Sequence, residues 1–290
     1  MSGLALASTR EELAHLLAPA RDAGRRVGLV PTMGALHAGH ASLMRTAREA
    51  VTDGPVVASV FVNPLQFGAG EDLDRYPRTL DADLALCADK GVDVVFAPSV
   101  EEVYPGGVGE PGVTVEPGPL ATVLEGATRP GHFRGVLTVV AKLFGLVRPD
   151  LAVFGLKDFQ QFALICRMVS DLCLDVEVLG ADTVREPDGL ALSSRNRFLD
   201  AEQRRQALVL IRALRAAQAG AHDGIEAALA AGWDTLAAEP AVDVDYLVAT
   251  AIDLDALPDV VPPGTTGRVL VAAKIGSTRM IDNLPILLGS

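Results

Sequence analysis

No apolar run in the 290-residue sequence reaches the ~20 residues that a membrane-spanning helix needs. A Lys/Arg-rich stretch is also lacking, and the formal net charge of −12 disfavours a polymeric nucleic acid as partner. The first dozen residues become acidic and amphipathic, which is not the pattern of a signal peptide. We therefore expect a cytoplasmic protein that binds neither membrane nor nucleic acid.

Cysteine is scarce and irregularly spaced. Cys87, Cys166 and Cys173 form no C-x-x-C pair, and an odd number of cysteines cannot all pair within one chain. The sequence therefore predicts buried thiols in a reducing compartment rather than a disulfide framework.

Apolar runs of strand length alternate with segments of helical period, which is typical of a parallel sheet covered by helices. With 49% hydrophobic residues, the chain has enough apolar side chains for sizeable cores. We predict strands over residues 27–30, 56–62, 92–97, 151–154 and 176–179, and helices over residues 40–50, 80–90, 135–147 and 159–172. The fold class is therefore α/β, with a Rossmann-like parallel sheet.

A polar stretch over residues 181–196 interrupts this alternation, so we place a domain boundary near Thr183 and expect domains of residues 1–182 and 183–290. Asp200 followed by Gln203 predicts a helix N-cap box at the start of an Ala-rich helix. A helix over residues 225–237 and strands over 242–248 and 269–273 complete a smaller C-terminal α+β domain.

Two of the five histidines, His37 and His40, lie where a predicted strand passes through a Gly-containing turn into a helix. A helix beginning near Leu36 would place both imidazoles on one face of its first turn, beside backbone N–H groups that attract phosphate. Zinc is a weaker interpretation, because metalloprotease helices place two histidines four residues apart with a glutamate between them.

Two further clusters follow predicted strands. Asn63 and Gln66 are neutral amides that orient hydroxyls, carboxylates or amines, although Asn63 alone also fits a simple turn cap. Lys157 would meet phosphate as a point charge, Asp158 would hold a ribose or the lysine, and Gln161 lies one helical turn further on. Since the carboxyl ends of parallel strands face one crevice, these side chains are expected at a common cavity.

The polar stretch between the domains adds two hydroxyls and Arg195, an anion clamp if it folds over the site. Arg129 and Arg134 flank His132 and supply further positive charge. The P-loop signature G-x-x-x-x-G-K-[ST] is absent. Together the clusters indicate a nucleoside triphosphate site of another type, built from local positive charge in an acidic protein.

Seven segments resemble the pantothenate synthetase (pantoate–β-alanine ligase) family, in family order: residues 31–40 (PTMGALHAGH), 61–67 (FVNPLQF), 76–79 (YPRT), 129–135 (RPGHFRG), 154–158 (FGLKD), 192–196 (LSSRN) and 276–283 (GSTRMIDN). The resemblance implies a nucleotidyltransferase-type Rossmann domain with a smaller lid domain, usually in a homodimer. It further implies ATP- and Mg²⁺-dependent condensation of (R)-pantoate with β-alanine through a pantoyl adenylate, with release of AMP and diphosphate.

The resemblance also implies roles for individual residues. His40 would be the catalytic histidine and proton donor, acting with His37, Lys157, Ser193 and Arg195. Gln66 and Gln161 would bind pantoate, and Gln66 would also contact β-alanine. The residues implied in ATP binding are Met33, Gly34, Ala35, Leu36, His37, Ala38, Gly39, His40, Gly155, Leu156, Lys157, Asp158, Val184, Leu192, Ser193, Ser194 and Arg195. The metal ligands are left open, because Ala82 stands where the family pattern has a side chain near the metal.

Two other functions are compatible with the same residues. A nucleotidyltransferase that joins a nucleotide to a phosphorylated alcohol also uses a His-x-Gly-His helix start. A nucleotide-responsive binding module would bind ATP without cleaving it.

Overall fold

The computed structural model of the chain describes residues 3–68, 73–109, 112–258 and 261–289. Its internal contacts divide these residues into two compact units. The first unit holds the residues up to Leu156 together with Leu164–Asp182, and the second holds Lys157–Ala163 together with the residues from Thr183 onward. The short segment Lys157–Ala163 therefore groups with the second unit, although its neighbours in sequence on both sides belong to the first.

The first unit is built on a six-stranded sheet whose neighbouring strands are all parallel. Its strands are β1 (Ala5–Ala7), β2 (Gly28–Thr32), β3 (Val56–Val60), β4 (Val94–Phe96), β5 (Leu151–Gly155) and β6 (Glu177–Ala181). The order across the sheet is β1-β4-β3-β2-β5-β6. The predicted α/β fold class is confirmed, and β1 is a strand that the sequence did not predict.

Helices connect these strands. They are α1 (Arg10–Asp22), α2 (Ala38–Val51), α3 (Leu80–Asp89), α4 (Val100–Val103), α5 (Glu125–Thr128), α6 (His132–Val147) and α7 (Phe159–Asp171). Apolar residues of α2 such as Met44 and Ala47 pack on Val30, Ala58 and Val153 of the central strands. Burying strands on both faces explains why they are almost wholly aliphatic.

The second unit contains α8 (Ala201–Gly220), α9 (Ile225–Ala237) and an antiparallel sheet of β7 (Val242–Ala251), β8 (Thr265–Ile275) and β9 (Thr278–Leu288). Leu210 and Leu214 of α8 share one core with Val269 and Val271 of β8. The predicted cap of α8 is confirmed, because the backbone N–H of Gln203 donates to Asp200 Oδ1 at 2.8 Å and that of Asp200 donates to Gln203 Oε1 at 3.2 Å.

Strand order positions the candidate site of the first unit. From β2 the chain continues on one side to β3 and β4, and β5 and β6 lie on the other side, so the direction of winding reverses between β2 and β5. Ligands of open α/β sheets bind outside the carboxyl ends of the strands at such a reversal. The segments that leave β2, β3 and β5 there begin at Met33, Phe61 and Leu156.

The cysteine prediction is only partly right. Cys87 is buried, and burial together with the nearby Asp83 carboxylate raises the pKa of its thiol to about 11. Contrary to prediction, Cys166 is only partly buried, and Cys173 is exposed because it lies in the turn after α7 rather than on the apolar face of the helix. Within the described residues, no helix is both long and apolar enough to cross a membrane.

Candidate active site

The turn between β2 and α2 is held by a carboxylate from α3. Asp83 is 2% exposed and accepts hydrogen bonds from the backbone N–H of Ala35 (3.1 Å) and Leu36 (2.8 Å). Gly34 and Ala35 have positive φ angles of 84° and 51°, and a β-carbon at Gly34 would lie 3.0 Å from Asp83 Oδ2. Since the carboxylate satisfies two buried N–H groups, it fixes this turn in a conformation that few residues adopt.

His37 and His40 form a reciprocal cap at the start of α2. His37 Nδ1 accepts from the Gly39 N–H at 3.1 Å, and His40 Nδ1 accepts from the His37 N–H at 3.3 Å. A backbone N–H only donates, so each Nδ1 is unprotonated and each neutral imidazole carries its proton on Nε2. The ring centroids are 4.1 Å apart.

The helix predicted over residues 40–50 is present, but contrary to the expectation for the histidine pair it does not start near Leu36. α2 begins at Ala38, and His37 is its N-cap residue with extended backbone (φ −142°, ψ −179°) rather than a member of the first turn. The two imidazoles are nevertheless brought together, because a capping box joins the N-cap residue to the third residue of the helix.

Gln66 lies in the short turn Pro64–Gln66 that follows β3. Its Oε1 accepts from Asn63 Nδ2 at 3.1 Å, and its Nε2 donates to Met33 Sδ at 3.0 Å. Asn63 is 1% exposed, and its Oδ1 accepts from the Leu65 N–H and from the Tyr104 hydroxyl. Asn63 therefore caps the turn, as its alternative interpretation held, and also fixes which way the Gln66 amide points.

Helix α6 packs against the same turn. A β-carbon on Gly135 would lie 2.2 Å from the Leu65 carbonyl oxygen, so only glycine permits this approach. His132 Nδ1 lies 2.8 Å from the Gln66 carbonyl oxygen, while its Nε2 lies 3.0 Å from the Arg129 guanidinium, which only donates. His132 Nδ1 therefore carries the proton and donates it to the carbonyl of Gln66.

Arg134 is placed differently from Arg129. It lines a cavity of about 240 Å³ with Gln66 and His132, but its Nε donates to Thr114 Oγ1 at 3.1 Å and lies 3.8 Å from Glu116. Its side chain is half exposed, so it belongs to a surface ion pair rather than to the network around Gln66.

The remaining candidate residues divide between the two units. Met33, Gly34, Ala35, Leu36, His37, Ala38, Gly39, His40, Gln66, Gly155 and Leu156 belong to the first unit, and Lys157, Asp158, Gln161, Val184, Leu192, Ser193, Ser194 and Arg195 to the second. In the second unit, Lys157 Nζ lies 3.8 Å from Asp158 Oδ1. Gln161 lies in the first turn of α7.

Ser193 caps the turn Ser194–Phe198, because its Oγ accepts from the Arg195 N–H at 3.2 Å. The Arg195 side chain is exposed. Leu192 and Val184 are joined by a backbone hydrogen bond of 2.9 Å, so this loop folds back on the segment that precedes it.

Three charged residues that the sequence did not indicate hold this loop. Glu186 accepts from Asn196 Nδ2 (2.8 Å) and from Arg204 (2.7 Å), and Arg204 also donates to Asp188 at 2.6 Å. These hydrogen bonds, first from Arg204 and then from Asn196, lower the pKa of Glu186 below its usual range. Only the unusual richness of this segment in charged residues hinted at such a network.

Comparison with known proteins identifies the family. The family model described as Pantoate-beta-alanine ligase matches residues 5–285. The chain belongs to this family. A pantothenate synthetase of Nocardioides sp. is 70% identical over 289 residues, which cover 98% of this chain and 86% of that protein. The predicted family resemblance is thus confirmed.

Solved structures agree with this membership. The pantothenate synthetase of Thermus thermophilus matches with a TM-score of 0.87 and 50% identity, covering 97% of this chain and 98% of that one. The pantoate-beta-alanine ligase of Francisella tularensis, solved in complex with "Beta-gamma ATP and Beta-alanine", matches with a TM-score of 0.76 and 32% identity, covering 97% of each chain. The fold of the family therefore extends over both units of this chain.

Proposed function

We propose that the chain condenses (R)-pantoate with β-alanine in an ATP-dependent reaction, through a pantoyl adenylate, and releases AMP and diphosphate. The observation that carries this proposal is the histidine pair at the start of α2, with both imidazoles held as Nε2–H donors beside a helix N-terminus. The cap uses the backbone N–H groups of His37 and Gly39, contrary to the expectation that they would face phosphate. It is therefore the imidazole donors at the positive end of the helix dipole that favour a phosphate chain. Family membership and the complex of the Francisella relative with "Beta-gamma ATP and Beta-alanine" support it further.

In this proposal the ATP phosphates lie at residues 33–40, with Gly155 and Leu156 at the end of β5. Lys157, Ser193 and Arg195 supply the remaining positive charge and hydroxyl donors, while Asp158, Val184, Leu192 and Ser194 line the nucleotide. Attack on the α-phosphate places negative charge on phosphorus and on the leaving diphosphate. His40 stabilises that charge by donating from Nε2, and His37 does so beside it.

The acid substrates would bind at the glutamines. Gln66 Nε2 donates to Met33 Sδ, and a thioether is a weak acceptor that a carboxylate or hydroxyl replaces at little cost. Asn63 holds Gln66 Oε1, so the amino group is the part of the amide left to face pantoate and β-alanine. Gln161 would bind pantoate from the second unit.

The chemistry needs no protein nucleophile. The carboxylate oxygen of pantoate forms a bond to the α-phosphorus as diphosphate leaves. The neutral amine of β-alanine then attacks the acyl carbon, the acyl–oxygen bond to AMP breaks, and the proton lost by the amine passes to solvent. Because an acyl adenylate is prone to hydrolysis, we assign residues 1–182 as the catalytic part and residues 183–290 as a lid that excludes water.

The described residues do not fit a protein-built magnesium cage. They contain no group of three His, Cys, Asp or Glu side chains that could hold a metal ion. Asp83, the buried acid of the run after Thr79, uses both carboxylate oxygens on backbone N–H groups and on Thr79 Oγ1. We therefore expect Mg²⁺ to be bound by the ATP phosphates and by water. A cytoplasmic homodimer also stays a prediction.

Isotope exchange between diphosphate and ATP tests the proposal. Exchange is expected only when pantoate is present, and β-alanine is not needed for it. Adding β-alanine should then yield AMP and pantothenate together in a mass spectrum. Exchange that does not depend on pantoate but requires a phosphorylated alcohol would favour the nucleotidyltransferase alternative. ATP binding without any cleavage would favour the binding module.

A further inference from the structure

The motif at residues 276–283 is part of the family resemblance, but none of the roles above uses it. It runs from the turn after β8 into β9, and it ends in two buried polar residues, Asp282 (4% exposed) and Asn283 (3% exposed). Buried polar side chains are stable only when they are hydrogen-bonded. Their partners therefore indicate what the motif holds in place.

The Asn283 side chain, which lies on β9, links a residue of β8 to the segment before α7. Its Nδ2 donates to the Lys157 carbonyl oxygen at 2.9 Å, and its Oδ1 accepts from the Arg268 guanidinium. Arg268 also lies over the Phe159 ring, 4.0 Å from the centroid. Because a guanidinium only donates, the amide oxygen must face Arg268, and the amino group must face Lys157.

Asp282 extends the same network to the loop that contains Ser193 and Arg195. Arg185 donates to both Asp282 oxygens at 2.7 and 2.9 Å, and one of its terminal nitrogens also donates to the Gly189 carbonyl at 3.1 Å. The backbone N–H of Asn283 donates to Asp282 Oδ1 at 2.8 Å. A continuous chain of hydrogen bonds thus joins Gly189 to Lys157 through β9.

We propose that Asn283 is a positioning residue for Lys157. A lysine carries its charge on a flexible stem, so its ammonium meets a phosphate reproducibly only if its backbone is fixed. The bond from Asn283 Nδ2 fixes that backbone and, through Asp282 and Arg185, sets it relative to the loop before Ser193. This inference rests on the role proposed above for Lys157 at the ATP phosphates.

The variant Asn283→Asp tests this with little change of shape. It keeps an oxygen for Arg268 but turns a second oxygen toward the Lys157 carbonyl, so the hydrogen bond is replaced by repulsion. We expect kcat/KM for ATP to fall about tenfold. In hydrogen exchange, amides of residues 157–163 should exchange faster while those of α6 stay unchanged.

Gln218→Glu is the control for losing an amide donor to β9 at an exposed position, whereas Asn283 is buried. Gln218 Nε2 donates to the Pro285 carbonyl on the same strand at 2.7 Å, so the substitution also replaces an amide donor by a carboxylate. This hydrogen bond does not involve Lys157 or Asn283. We expect kcat/KM within about twofold of wild type and unchanged exchange at residues 157–163.

A double-mutant cycle separates positioning from a merely structural role. In the Lys157→Ala background, Asn283→Asp should change kcat/KM by less than about twofold, because the side chain that it positions is gone. Equal losses in both backgrounds would overturn the inference, as would unchanged kcat/KM for Asn283→Asp where Lys157→Ala is impaired. These two results leave the proposed function intact. ATP cleavage without pantothenate formation would instead overturn the proposed reaction. Full activity of Lys157→Ala would overturn the proposed role of Lys157, and in either case the inference would fall as well.

Discussion

Replacing His40 tests the assignment that carries the proposed function. His40→Ala removes two interactions at once: the Nε2–H donor, and the Nδ1 acceptor that receives the His37 N–H at 3.3 Å. Loss of one preorganised donor to a developing oxyanion costs about 10²–10³ in kcat. Loss of one capping hydrogen bond costs about 1 kcal/mol of unfolding free energy. ATP affinity should change little, because the donor acts mainly on the transition state.

Two further variants separate these effects. His40→Glu keeps an acceptor at the third position of the helix, where glutamate commonly completes a capping box, but it has no donor. His40→Gln keeps both an acceptor and a donor. We expect both to regain the unfolding free energy lost in His40→Ala, measured by urea denaturation, and only His40→Gln to regain part of kcat, measured as pantothenate formed by mass spectrometry.

The reasoning would be refuted by wild-type turnover in His40→Ala. It would also be refuted if His40→Glu regained kcat to the same extent as stability. That result would mean that the imidazole acts by capping α2 and makes no contribution as a donor. Titration calorimetry with a non-hydrolysable ATP analogue checks that the variants still bind nucleotide, so a loss of kcat is not mistaken for a loss of binding.

Three further predictions concern packing, pH and thiols. Gly135→Ala places a β-carbon 2.2 Å from a backbone oxygen, so it should lower the unfolding free energy by about 1–3 kcal/mol and raise KM for pantoate. Gly145→Ala is the control in the same helix. It has open space around it and should be neutral or stabilising. The pKa of Glu186 is lowered in the folded state, so the stabilisation that its carboxylate provides is present above its usual pKa and is lost as the pH falls through the folded pKa. The difference in unfolding free energy between wild type and Glu186→Gln, measured by urea denaturation, should therefore shrink between about pH 7 and about pH 3. A constant difference would contradict this. Iodoacetamide at about pH 8 should alkylate exposed Cys173 in the native protein and spare Cys87, whose pKa is about 11; mass mapping of the peptides checks this.

The sequence predicted the central strands well and missed β1, α1 and β9. The buried strands of the parallel sheet are continuous aliphatic runs, which stand out from their surroundings. β9 contains Arg279, Asp282, Asn283 and Pro285, so it lacks the alternation that marks a strand, and α1 contains Pro19 within the helix. Tertiary contacts override local preference in β9, which pairs along its whole length with β8.

The candidate site was predictable where its residues are neighbours in sequence. The His37–His40 pair was found from its spacing, although histidine is an uncommon N-cap residue and the helix start was therefore misplaced. The contacts of Asp83 with Leu36 and of Asn283 with Lys157 join residues 47 and 126 positions apart. Spacing along the chain carries no information about such pairs, and only the fold reveals them.

The fixed polar side chains of the candidate site in the first unit share one arrangement, which bears on how an acidic protein would bind a triphosphate. His37 and His40 use Nδ1 as acceptor for backbone N–H groups, and Gln66 uses Oε1 for Asn63. In each case the local hydrogen bond fixes the tautomer or the orientation of the amide, and with it the position of the proton-bearing nitrogen. Such a set favours anions through oriented neutral donors, which bind without adding charge. In the proposed function these oriented donors act together with the charges of Lys157 and Arg195, so the net charge of −12 does not exclude a nucleotide as ligand.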